Sequence, residues 1–112
     1  ATGFPYYDFE RTQKYLSVLE FFMKNTRGVR RLGSAALDLA YVACGKFDAF
    51  FEYSLSPWDV AGGSLLVEEA GGVVVDFNGG ENFVYGKEII AVQPQIKAEV
   101  LELIRKNFDK ST

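Results

Sequence analysis

There is no histidine in these 112 residues, and that absence removes more chemistry than any single residue supplies. It excludes Ser-His-Asp and Cys-His catalysis, histidine-ligated zinc and imidazole acid–base work. The one cysteine, Cys44, excludes an internal disulfide. Its apolar neighbours mark it as a small buried hydrophobe rather than a nucleophile, and a reducing cytoplasm fits it. No apolar stretch reaches the ~20 residues of a membrane span, and no signal-peptide pattern opens the chain, so no membrane partner is expected. Positive charge is not in excess. A formal net charge of −3 gives no general attraction to nucleic acid, and Lys24, Arg27, Arg30 and Arg31 are explained as cations near a helix C-terminus followed by a solvated strand edge. Chemistry in this chain must rest on carboxylates, hydroxyls, lysine or a metal held by oxygen.

Hydrophobic residues at 48% and aromatics at 15% exclude disorder, and the length suits one core, a single domain over residues 1–112, rather than two. The opening Ala1-Thr2-Gly3-Phe4-Pro5 has no initiator methionine, and the chain is expected to begin in the middle of a longer protein. Between Phe9 and Asn25 the residues Tyr15, Leu19, Phe22 and Met23 recur at helical spacing, with Asp8 as cap and Gly28 beyond the end. Val29 to Leu32 is a short strand candidate. Ala35 to Cys44 is apolar on nearly every face apart from Asp38 and predicts a buried helix. Phe47 to Tyr53 is an aromatic run of strand length that carries Glu52 to its far end. Val73-Val74-Val75 and Glu88 to Val92 are further strands, with a turn at Asn78-Gly79-Gly80. Pro94 opens a last helix with its apolar stripe at Ile96, Val100, Leu103, Ile104 and Phe108. Helices alternating with short apolar strands give an α/β class, helices layered around a mixed sheet.

Two acidic patterns bear on metals. Asp76-x-Asn78-x-Gly80 begins like a calcium loop, but Glu81 stands where the invariant glycine belongs and Lys87 where the bidentate glutamate belongs, which rejects it. The segment Ser56-Pro57-Trp58-Asp59 is more informative. Ser56 can cap a helix, Pro57 fits the first helical position, and Asp59 falls in the positive field of the first turn, a loose capping box. The same geometry can present a carboxylate to a cation. Gly62 and Gly63 inside this helix each cost about 1 kcal/mol relative to alanine, so something approaches that backbone closely.

Trp58-Asp59-Val60-Ala61-Gly62-Gly63 followed by Glu69-Ala70-Gly71-Gly72 resembles the second signature of the inositol monophosphatase family. Gly33-Ser34-Ala35-Ala36 and Gly45 to Glu52 extend the resemblance, at matching spacings, over essentially the whole chain. It implies the C-terminal half of that fold, separated from the rest by design or by proteolysis, and a parent enzyme that is a magnesium-dependent phosphomonoesterase acting on inositol monophosphate or a similar small phosphorylated polyol. Carried over residue by residue, it makes Asp59 the metal ligand, has Glu52 hydrogen-bond a substrate hydroxyl, and lines the alcohol pocket with Gly33, Ser34 and Ala35. Asp38 is expected to pair with a basic group, and Asp48 to be structural. The family's Asp-Pro-x-Asp-Gly-Thr loop and its upstream glutamate have no counterpart here. The chain alone is therefore expected to be inactive and to self-associate through the surface left uncovered, within a parent that is a homodimer. Ser56 in place of a histidine found in some relatives, and the absence of a substrate-contacting serine around Tyr6-Tyr7-Asp8, leave the ester open. A fructose-1,6-bisphosphatase-like enzyme, a nucleotide 3′-phosphatase and a non-catalytic interaction module are the alternatives.

Overall fold

The computed structural model describes residues 1–3 and 11–108; the expected cap Asp8 and the Tyr6-Tyr7-Asp8 stretch lie outside them. Helix α1 spans Thr12–Asn25, α2 Ala35–Ala43, α3 Pro57–Glu69 and α4 Lys97–Phe108, and a 3-10 turn over Pro94–Ile96 leads into α4. Strands β1 (Ala49–Tyr53), β2 (Val73–Val75) and β3 (Glu88–Val92) form a sheet in the order β1-β3-β2. Both pairings are antiparallel. Among the described residues the one parallel feature is the isolated bridge between Thr2 and Phe51, so the expected mixed sheet is here an antiparallel sheet with a parallel fringe.

Strand alternation sorts the core into two layers. Phe51, Tyr53, Val75, Ile90 and Val92 face one way, onto Tyr15 and Val18 of α1 and Val100, Ile104 and Phe108 of α4. Phe50, Val74, Ile89 and Ala91 face the other way, onto Leu39 and Val42 of α2 and Val60 and Val67 of α3. Helices thus cover both faces of the sheet. Glu52 has the parity of Phe50, which directs its carboxyl toward the α2–α3 layer.

Four expectations are corrected. Val29 to Leu32 is not a strand, because Thr2 already lies beside β1 there and joins this stretch through one backbone bond, Thr2 N–H to the Arg30 carbonyl at 3.0 Å. Met23 is 65% exposed; the buried stripe of α1 is Tyr15 and Val18, flanked by Leu19 and Phe22, a rotation that turns Met23 outward. Helix α2 buries only the face of Asp38, Leu39 and Val42, while Leu37 is exposed, because its cover comes from one side. Cys44 is exposed: it follows the last residue of α2 and lies off that buried face.

The double glycine of α3 splits into two physically different positions. A Cβ on Gly63 would stand 2.7 Å from both Cβ and Cδ1 of the fully buried Leu39, so here α2 is the close neighbour that the pair of glycines implied. A Cβ on Gly62 would meet nothing within 4 Å. Gly63→Ala is therefore expected to destabilise the chain by about 1–3 kcal/mol through overpacking. Gly62→Ala should stabilise it by up to about 1 kcal/mol through helix propensity. Urea midpoints moving in the same direction for both would contradict this packing.

Candidate active-site cleft

Three segments meet at the end of β1 where the α2–α3 layer begins. Asp59 is placed first. Its backbone N–H donates to the Ser56 carbonyl at 3.0 Å, and its Oδ2 accepts from the Ser56 N–H at 3.0 Å, completing a capping box at the start of α3. One carboxylate oxygen is thus committed to the helix end. Ser54, at φ 67°, makes the turn between β1 and this cap; a non-glycine residue held in the left-handed region is a site where backbone strain is kept.

Glu52 is half-buried at the end of β1, its carboxyl lying against the backbone of Gly3, so closely that a Cβ on Gly3 would overlap Oε1. Burial pushes its pKa up to about 7; the nearby charges of Asp38 and Asp59 add to the rise, and Arg31 opposes it. Asp38, on the buried face of α2, is pushed up to about 6 by burial, against the pull of the amino terminus and of Arg31. Its Oδ1 is buried without a hydrogen-bond partner. The expected pairing with a basic group is thus a through-space attraction, not a salt bridge.

Gly33, Ala35, Glu52 and Asp59 line one cleft of ≈ 140 Å³, joined by Gly3, Arg31 and Leu55. Gly33 sits at φ 83°, a left-handed conformation that favours glycine and turns the chain into α2. Ser34 is not among the lining residues: its Oγ caps α2 by accepting from the Leu37 N–H at 3.2 Å. Asp48 lies outside this cleft, at the opposite end of β1. Gly3 and Arg31 went unnoticed in the sequence because nothing in their local pattern signals a site. The pairing of the first residues with β1, a tertiary contact, brings Gly3 beside Glu52.

Two carboxylates near one another, one raised toward neutrality, suit a site that binds hydroxyls and a hard cation. Asp59 fits as one oxygen ligand, its remaining oxygen being free of the cap. The described residues contain no group of three or more acidic, cysteine or histidine side chains that could hold a metal ion by themselves. Asp76, in the rejected calcium loop, instead accepts backbone N–H bonds from Asn78 at 2.9 Å and Gly80 at 2.8 Å through Oδ1, an ordinary turn. No helix among the described residues is long and apolar enough to cross a membrane.

Comparison with known proteins shows the family and the fold. Residues 2–109 match the model of the inositol monophosphatase family. A putative Nus factor SuhB of Neisseria meningitidis serogroup B is 47% identical over 104 residues, covering 93% of this chain and 40% of the relative. The Nus factor SuhB of Escherichia coli K12 is 46% identical over 105 residues, covering 94% of this chain and 39% of the relative. Among solved structures, extragenic suppressor protein suhB from Bartonella henselae superposes with a TM-score of 0.85 at 43% identity, over 94% of this chain and 40% of that one. The inositol monophosphatase from Anabaena superposes with a TM-score of 0.82 at 38% identity, over 94% of this chain and 42% of that one. The chain spans about two-fifths of the length of the curated relatives it matches.

Proposed function

We propose a function on one premise: this chain belongs to the inositol monophosphatase family. It is the C-terminal, substrate-side part of a magnesium-dependent phosphomonoesterase that hydrolyses inositol monophosphate or a similar small phosphorylated polyol in the cytoplasm. The observation that carries this reading is the convergence of Gly33, Ala35, Glu52 and Asp59 on one cleft.

Within that cleft Asp59 offers a carboxylate oxygen to the cation. Glu52, titrating near neutrality, can accept a hydrogen bond from a substrate hydroxyl or, when protonated, donate one. The backbone at Gly33 and Ala35, at the start of α2, lines the pocket that receives the alcohol, and Arg31 adds a positive charge to its wall. Bound magnesium would supply Lewis acidity and a lowered pKa for water.

A single metal-binding aspartate is too few for such a site, so the remaining ligands come from polypeptide beyond these residues. The surface agrees with that reading. Trp58 is 81% exposed, and Leu65 and Leu66 are exposed on the same helix, an apolar face beside Asp59 that is uncovered among the described residues. The face also supports self-association of the isolated chain.

The test is phosphate release from inositol 1-phosphate, fructose 1,6-bisphosphate and a nucleoside 3′-phosphate. A protein extended to the length of its relatives should turn over the inositol ester fastest and only with magnesium, and the 112-residue chain should release none. Turnover by the short chain alone, or no turnover of any ester by the long one, would overturn the reading. The relatives named Nus factor carry a second reading, a role with the transcription machinery. That reading prevails if the long protein hydrolyses nothing.

A further inference from the structure

Gly3, Arg31 and Glu52 come to the cleft from three segments far apart in the chain. One buried residue ties all three from behind. The Thr2 N–H donates to the carbonyl of Arg30, next to Arg31, at 3.0 Å. The Thr2 hydroxyl donates to the carbonyl of Phe51, next to Glu52, at 2.9 Å, within the parallel bridge to β1. Gly3 follows Thr2 directly. The knot lies behind the cleft and not in it: neither Thr2 nor Tyr15 lines it, and they are 1% and 2% exposed.

Strand alternation places the two sides of this knot. Phe51 faces the α1–α4 layer, and the Thr2 hydroxyl points the same way, meeting the Tyr15 hydroxyl of α1 at 3.1 Å. A hydroxyl has one hydrogen and two acceptor sites. The hydrogen of Thr2 goes to the Phe51 carbonyl, the closest of its acceptors, so Thr2 accepts from Tyr15. The Tyr15 ring is itself held, with its centroid 5.8 Å from that of Phe51 and 5.9 Å from that of Tyr53. Gly3, one residue on, faces the other side, where its backbone lies against the Glu52 carboxyl. None of these bonds uses the amino terminus of Ala1.

We propose that Thr2, pinned by Tyr15, is a positioning residue for Glu52, setting where that carboxyl meets a hydroxyl of the substrate alcohol. The effect on substrate rests on the phosphatase reading; the contact between Gly3 and Glu52 does not. In a protein extended to the length of its relatives, Thr2→Val keeps the shape and removes the hydroxyl. KM for inositol 1-phosphate should rise about three- to tenfold with kcat changed less than about twofold, since the displaced bond serves ground state and transition state alike. Thr2→Ser, which keeps the hydroxyl, should return KM to within about twofold of the unaltered protein. Tyr15→Phe keeps the ring and should move KM in the same direction, which reads the knot even where Thr2→Val does not fold. Magnesium activation should be unchanged, because Asp59 is held by Ser56. An unchanged KM in Thr2→Val and Tyr15→Phe, or a Thr2→Ser as impaired as Thr2→Val, would overturn the proposal. If the unaltered long protein hydrolyses no ester, the phosphatase reading falls, and the knot is read from a carbon-13 titration of the Glu52 carboxyl. Asp38, Asp59 and Arg31 also act on that carboxyl, which burial pushes up to about 7. Its midpoint should fall toward 4.5 in Thr2→Val as Gly3 loosens and water enters. A midpoint that does not move would overturn the proposal.

Discussion

Asp59→Asn, made in a protein extended to the length of its relatives, is expected to lower magnesium-dependent phosphate release by at least about a hundredfold, since loss of even an outer-shell partner of a metal ligand costs 10–100-fold. The substitution separates the observed cap of this residue from its proposed duty to a cation. An asparagine side chain keeps a carbonyl oxygen that can accept the Ser56 N–H bond now made at 3.0 Å. The helix cap survives, and only the charge–dipole contribution of about 0.3–1 kcal/mol is lost. What disappears is the anionic oxygen for the cation. Asp59→Ala should lose both, with the same fall in turnover and a further destabilisation of about 0.5–2 kcal/mol from the missing cap. The same release assay and a thermal melt read the two effects apart. Full turnover in Asp59→Asn would make this residue a cap and nothing more.

Asp38→Asn should stabilise the 112-residue chain, and the gain should depend on pH with a definite sign. Asp38 is pushed up from 3.8 to about 6, chiefly by burial. Between those values the unfolded chain has lost a proton that the folded chain retains, so stability falls as pH rises through this window. The full penalty, about 3 kcal/mol, applies above pH 6 and vanishes below pH 4. Asparagine carries no charge to desolvate, but it still buries a polar group where Oδ1 now lacks a partner. The net gain is therefore about 1–2 kcal/mol at pH 7.5. Near pH 3.5 the variant should gain nothing. Denaturant titrations at the two pH values check this, and a gain equal at both would rule out a charge effect. Blocking the terminal amine of Ala1, whose ammonium stabilises the Asp38 charge, should enlarge the penalty.

Much of this fold can be read along the chain wherever a local rule and a tertiary neighbour agree. Ser56, Pro57 and Asp59 announce the start of α3 through capping chemistry that is complete within four positions, and the structure forms that box. The aromatic run ending at Tyr53 and the apolar run ending at Val92 pair with each other in register, because each buries alternate residues on opposite faces. Failures fall where a neighbour decides. Val29 to Leu32 has strand composition, but among the described residues its backbone pairing is the single bond from Thr2 to Arg30. Cys44 is apolar in its surroundings along the chain and exposed in space, since helix phase rather than neighbouring residues sets burial. The cleft was half legible. Glu52, Asp59, Gly33 and Ala35 follow from the family resemblance and converge. Gly3 and Arg31 complete the lining through contacts between segments far apart in the chain.

We propose that Asp59 serves a cation while it caps α3. Crystals of a protein extended to the length of its relatives, grown with manganese in place of magnesium, would show the metal through its anomalous scattering. The account predicts a peak within about 2.2 Å of the Asp59 carboxylate oxygen that does not accept the Ser56 N–H. A metal bound elsewhere, with Asp59 outside its ligands, would contradict it.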